Sequence, residues 1–121
     1  MFNPATHVTH LFAGLAVSDF SVACAWYERL FGAAPDARPK EDEAIWHPAP
    51  HASIYITADP ERAGNGLLTL AIKDIEQERL GLARRGLTVD DGVEANGLRT
   101  LVVRDADGNR IKFFEYDPAN S

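Results

Sequence analysis

Cysteine and positive charge are scarce in this sequence, and each scarcity excludes something. Cys24 is the one cysteine among 121 residues, so no intrachain disulfide can form, and a reducing cytoplasm is the expected compartment. Cys24 lies within an apolar helical stripe, with nothing beside it that would activate a thiolate, and reads as a core thiol. Twelve basic residues stand against 18 acidic ones, a net charge of −6. That balance argues against nucleic-acid binding, whose affinity comes mainly from neutralising phosphates. No apolar run approaches the roughly 18 to 20 residues needed to span a membrane. The N-terminal MFNPATHVTH has neither a positive region nor an apolar signal core, so no membrane association is expected. There is no Gly-rich phosphate loop, no nucleophile elbow and no paired-cysteine metal motif.

What is present is the composition of a globular domain, 45% hydrophobic and 25% charged, long enough to bury a core without staples. The segment His10 to Val17 alternates like a strand and runs into Ser18-Asp19, a pair suited to open a helix. Phe20, Ala23, Cys24, Tyr27, Leu30 and Phe31 then recur at helical spacing, and Gly32 closes the helix. The same order returns: Leu67 to Ile72 as strand, Lys73-Asp74 as helix start, Ile75 to Arg85 as helix, Gly86 as stop. Leu15 to Phe20 matches Leu70 to Ile75 at a constant offset of 55 residues, which marks two copies of one supersecondary unit.

Short strands follow each helix. In the first half they are Ala44 to His47 and His51 to Thr57, with charged Arg38 to Asp42 as loop or edge. In the second half they are Leu87 to Val89, Leu98 to Arg104 and Arg110 to Tyr116. The expected organisation is one domain, 1–121, with a first module over about 8–57, a linker over 58–66 and a second module over about 67–116. Asp105 and Asp107 read as turn residues of a tight Asp-Gly hairpin. In its second arm, alternation places Ile111 and Phe113 on one face and Lys112 and Phe114 on the other.

Three stretches, GLAVSDFSVACAWYERLFG, LTLAIKDIEQERLGLARRG and RDADGNRIKFFE, resemble the glyoxalase / bleomycin-resistance / extradiol-dioxygenase superfamily, also called vicinal oxygen chelate proteins. In the third, Ala106 stands where the family usually has proline. The resemblance implies an α+β fold of two βαβββ modules, each curling a mixed sheet into half of an open barrel around a cavity, with helices outside. It also implies small-molecule ligands and a homodimer. In metal-dependent members a divalent ion is held from one position on the first strand of each module and one on the last strand. Carried across, these positions fall on Phe12, Leu67 and Lys112. Two lack a donor atom and the third is cationic, so no metal and no cofactor are expected.

A replacement metal set would have to come from His7, His10, His47, His51 and Glu115; His10, His51 and one carboxylate are the combination weighed. His10 shares the face of Phe12, about 7 Å further along the strand. The expected ligand wall comprises His10, Phe12, Trp46, His51, Ser53, Tyr55, Leu67, Thr69, Lys112 and Phe114, an aromatic pocket with one positive charge. For Trp46 and Phe12 the competing reading is packing, and for Lys112 a solvated position at the rim. Arg104 either reaches a ligand or is exposed, and the charges from Glu76 to Arg85 read as the wet face of the second helix.

Two functions compete, beside a third possibility, a domain that serves mainly as a dimerisation or partner module. Of the two, one is a metal-independent small-molecule binding protein. The other is an enzyme of the superfamily (lyase, isomerase or dioxygenase) with a displaced metal site or a metal-free acid/base mechanism. The net acidity favours cationic ligands at long range, whereas Lys112 favours an anionic one at short range.

Overall fold

The computed structural model describes residues 7–116. In chain order the elements are β1 (Leu11–Val17), α1 (Phe20–Phe31), β2 (Ala37–Lys40), β3 (Glu43–Ala49), β4 (Ala52–Ala58), β5 (Leu67–Ile72), α2 (Ile75–Arg84), β6 (Asp90–Val93), β7 (Arg99–Arg104) and β8 (Arg110–Glu115). They form two separate four-stranded sheets, ordered β1-β4-β3-β2 and β5-β8-β7-β6. Each sheet has one parallel pair, β1 with β4 and β5 with β8, and otherwise antiparallel pairs. The fold is therefore α+β, two βαβββ modules with open mixed sheets.

The repeat is visible in the helix starts. Asp19 accepts from the Val22 backbone N–H at 3.1 Å, and Asp74 accepts from the Gln77 N–H at 3.0 Å, again 55 residues on. Each carboxylate satisfies a donor that the first helical turn leaves without a partner. The helix ends differ. Gly32 takes a left-handed conformation (φ 69°) and its N–H returns to the Glu28 carbonyl, whereas α2 ends on Arg85 with ordinary backbone angles.

Of the loop and edge readings of Arg38 to Asp42, the edge strand holds, because Ala37–Lys40 pairs with β3, and only on its inner side. One strand departs from the sequence reading. Leu87 to Val89 is not a strand. Leu87 is buried beneath the end of α2, and the edge strand instead occupies Asp90–Val93, where register with Arg99–Val102 outweighs poor strand propensity.

One apolar core lies between helices and sheets and joins both modules. It takes Leu15, Val17, Tyr27, Trp46 and Ile56 from the first, and Ile75, Leu82, Leu101, Ile111 and Phe113 from the second. Helix α1 packs on β3 and β4, and α2 on β7 and β8. One face of each sheet is thus covered, and the other stays open.

Candidate functional site

The open face of the second module carries Leu67 and Thr69 from β5, Lys112 and Phe114 from β8, and Thr100 and Val102 from β7. Cross-strand register sets Lys112 between Thr69 and Val102, and Phe114 between Ala71 and Thr100. Thr69, Lys112 and Phe114 line a cleft of about 500 Å³ with Glu94, Asn96 and Leu98 from the β6–β7 turn. Glu94 forms an ion pair with the Lys112 ammonium across this cleft, both side chains remaining partly exposed. Arg104, on the same face, is paired with Asp90. Glu94 gives no sequence signal, since it sits in a polar turn and only the β6–β7 pairing carries it over Lys112.

The open face of the first module holds a different group. Ser53, 2% exposed, has its hydroxyl oxygen 2.6 Å from His10 Nε2 and 2.6 Å from His47 Nδ1. A hydroxyl has one proton, so Ser53 donates to at most one ring and at least one of the two imidazoles donates to it. The His10 ring also lies against Phe12, centroids 4.5 Å apart. Tyr55 lies across Gly14, where an added Cβ would come within 2.3 Å of the phenol ring, so this approach requires glycine. His47 belongs to this face by strand alternation, a signal present in the sequence but not assigned to the ligand wall there.

The ten expected wall residues do not share one surface. Thr69, Lys112 and Phe114 line the second-module cleft. His10 and Ser53 are bonded on the first module, while His51 lies at the β3–β4 turn, beside a shallow depression that it shares with His10. Phe12 and Leu67 are 55% and 58% exposed. Trp46 points the other way, into the core, where it packs on Tyr27 and Phe31 and donates Nε1–H to the Ala33 carbonyl at 3.0 Å. The packing reading of Trp46 therefore describes it, because β3 buries Ala44 and Trp46 and turns Ile45 and His47 outward.

A further cleft of about 520 Å³ runs between the modules, lined by Leu11, Ala13, Phe31, Leu68, Leu70 and Phe113 among others. Its charged lining residues are Glu78 and Arg85. The Arg85 guanidinium already donates to the carbonyls of Arg29 and Leu30 at the end of α1. Ser53 and Thr69 of the expected wall also line it, and with Arg85 engaged on α1 the cleft reads as a packing seam.

The Arg104–Arg110 hairpin is the second seam. Asp105, buried, accepts from the Tyr27 hydroxyl at 2.8 Å, from the backbone N–H groups of Asp107 and Asn109, and from Asn109 Nδ2. Asn109, fully buried, also donates to the Ala16 carbonyl and accepts from the Gly66 N–H. Asp107 accepts from the backbone and hydroxyl of Ser18. Burial and the Asp105 carboxylate hold the Tyr27 phenol far above its ordinary range. The turn residues are thus also the bolts between modules.

The residues do not fit a divalent ion. Phe12 and Leu67 have no donor atom and Lys112 is cationic and paired. Glu115 accepts from the Ile75 N–H at the start of α2. Among the described residues no three His, Cys, Asp or Glu side chains come together in a way that could hold a metal.

Two open βαβββ modules joined through a shared core, with a ligand-sized cleft on the open face of the second, define a class of protein. The chain belongs to the Glyoxalase/Bleomycin resistance protein/Dioxygenase superfamily, whose family model matches residues 6–113. A glyoxalase / bleomycin resistance protein from Catenulispora acidiphila DSM 44928 is 39% identical, with a TM-score of 0.84 over 89% of this chain and 98% of that one. TnmS3, an antibiotic binding protein from Streptomyces sp. CB03234, is 23% identical with a TM-score of 0.69, covering 93% and 97% of the two chains. A lactoylglutathione lyase from Agrobacterium tumefaciens is 16% identical with a TM-score of 0.71, covering 87% and 91%. The last two share the fold alone, and one is named for binding, the other for catalysis. Among curated proteins, no sequence matches the chain.

Proposed function

We propose that this protein binds a small, partly apolar molecule without a metal, on the cleft built from Thr69, Glu94, Lys112 and Phe114. The observation that carries this reading is the identity of Phe12, Leu67 and Lys112, the residues that the superfamily resemblance sets at the metal-ligand positions. One of them is an ammonium set beside an aromatic ring in that cleft. Apolar walls supply burial and the charged pair supplies orientation. The whole chain acts as one two-module unit in this reading, in a reducing cytoplasm and as a homodimer. Exposed Leu11, Phe12 and Leu67, at the free edges of β1 and β5, supply apolar surface for the second copy to cover.

The test is elemental analysis of untagged protein after incubation with Zn²⁺, Ni²⁺, Mn²⁺ and Fe²⁺ and then dialysis. The expected result is far less than one metal per chain, and no isomerisation of the glutathione–methylglyoxal adduct above background. Near-stoichiometric retained metal would overturn the reading.

A second reading has an observation of its own. His10, Ser53 and His47 form a chain along which a proton can pass between two imidazoles, which supports a metal-free acid/base enzyme. Under that reading Ser53→Ala abolishes turnover, whereas a binding protein keeps its ligand affinity within a few-fold.

A further inference from the structure

We propose that the Glu94–Lys112 pair makes the second-module cleft selective for zwitterions, small molecules with an aromatic or apolar body that carry both an ammonium and a carboxylate. This rests on the cleft being the ligand site and adds the charge class of what it takes.

The two charges are held by different means. Lys112 stands in the middle of β8 with hydrogen-bonded strands on both sides, so its stem cannot leave the cleft. Glu94 stands on the turn after β6, which is closed by Glu94 N–H to the Leu98 carbonyl at 2.8 Å and Gly97 N–H to the Glu94 carbonyl at 2.9 Å. Asn96 fixes the same turn by accepting from the Leu98 N–H. The carboxylate is thus presented to Lys112 from the opposite wall, with Phe114 and Leu98 as apolar lining.

A purely anionic ligand that reaches Lys112 competes with Glu94 for the ammonium and sits beside a second negative charge. A purely cationic ligand gains Glu94 and abuts the freed ammonium. A zwitterion inserts between the two, its carboxylate on Lys112 and its ammonium on Glu94, and leaves neither protein charge without a partner. Two further cations share this face outside the cleft lining, Arg104, which is matched by Asp90, and Arg110, two residues before Lys112 on β8. This arrangement reconciles the acidic net charge with a lysine in the pocket.

The experiment titrates the full chain with three probes of similar shape: phenylalanine, 3-phenylpropionate and phenethylamine. Amide shifts of Glu94, Lys112 and Phe114 are followed by ¹H–¹⁵N NMR, in wild type, Glu94→Gln and Lys112→Gln. In wild type the zwitterion is expected to bind about five- to tenfold more tightly than either singly charged probe, the scale of one partly exposed charged contact. Glu94→Gln is expected to shift preference towards 3-phenylpropionate, and Lys112→Gln towards phenethylamine. If 3-phenylpropionate matches phenylalanine in wild type, or Glu94→Gln leaves their ratio unchanged, the zwitterion inference fails while the cleft stands. If no probe moves these amides in a protein with an intact spectrum, the cleft itself is not the site and both readings fall.

Discussion

His51 is the one described residue other than glycine with a positive φ, 63°. A β-carbon in that region crowds the backbone, so the turn carries strain that glycine would not feel. The His51 carbonyl accepts from the Leu11 N–H, a bond that substitution retains. His51→Gly is therefore expected to stabilise the protein by about 0.5–1 kcal/mol, the left-handed cost of about 1–2 kcal/mol less the added chain entropy of glycine, read as a higher urea midpoint. An unchanged or lower midpoint would mean the imidazole makes a contact worth more than the strain. Tyr27 gives a prediction in pH. Its phenol is held protonated in the folded protein, above the value of about 10 for a free tyrosine. Below pH 10 the phenol is neutral in both folded and unfolded chains, so its contribution is complete. Above pH 10 only the unfolded chain releases the proton, and stability falls as pH rises. Urea midpoints of wild type and Tyr27→Phe between pH 8 and 11 are expected to converge towards the alkaline end. Parallel curves would contradict this.

Among the elements, the two helices test whether the repeat is energetic as well as geometric. Asp19 and Asp74 make the same cap at equivalent positions. Each replaced by alanine is expected to cost about 1 kcal/mol, and the double variant about the sum, since the caps share no partner. Both caps were legible in the sequence because capping is local: the residue type, the following apolar stripe and the spacing all lie within one turn. The edge strand Asp90–Val93 was not legible, because Asp-Asp-Gly has no strand propensity and pairs only through β7. The Asp-Gly hairpin was read correctly as a turn, yet its side chains reach Ser18, Tyr27 and Ala16 across the module boundary. Periodicity contains no information about such contacts.

For the molecule as a whole, the exposed apolar residues at the free edges of β1 and β5 set the expectation for assembly. Sedimentation equilibrium at micromolar concentration is expected to show a dimer, and Leu67→Asp to shift it to monomer with the far-UV spectrum kept. Wild type that sediments as a monomer would remove the second copy from the proposal. Within the chain, the modules are joined by the common core, by Arg85 on the end of α1 and by the Asp105–Asn109 network. The expected wall is distributed over both modules, with His10 and Ser53 on the first and Lys112 and Phe114 on the second, while Ser53 and Thr69 both reach the cleft between them.

The sequence by itself determined the repeat, both helices with their caps, the strands of each parallel pair and which face of β8 carries Lys112. These depend on neighbours within a few residues and on the periods 3.6 and 2. The tertiary structure alone decided that Trp46 turns inward, that Glu94 meets Lys112, and that Ser53 stands between two histidines. Each depends on which strand lies beside which, and in what register, over separations that no local period records.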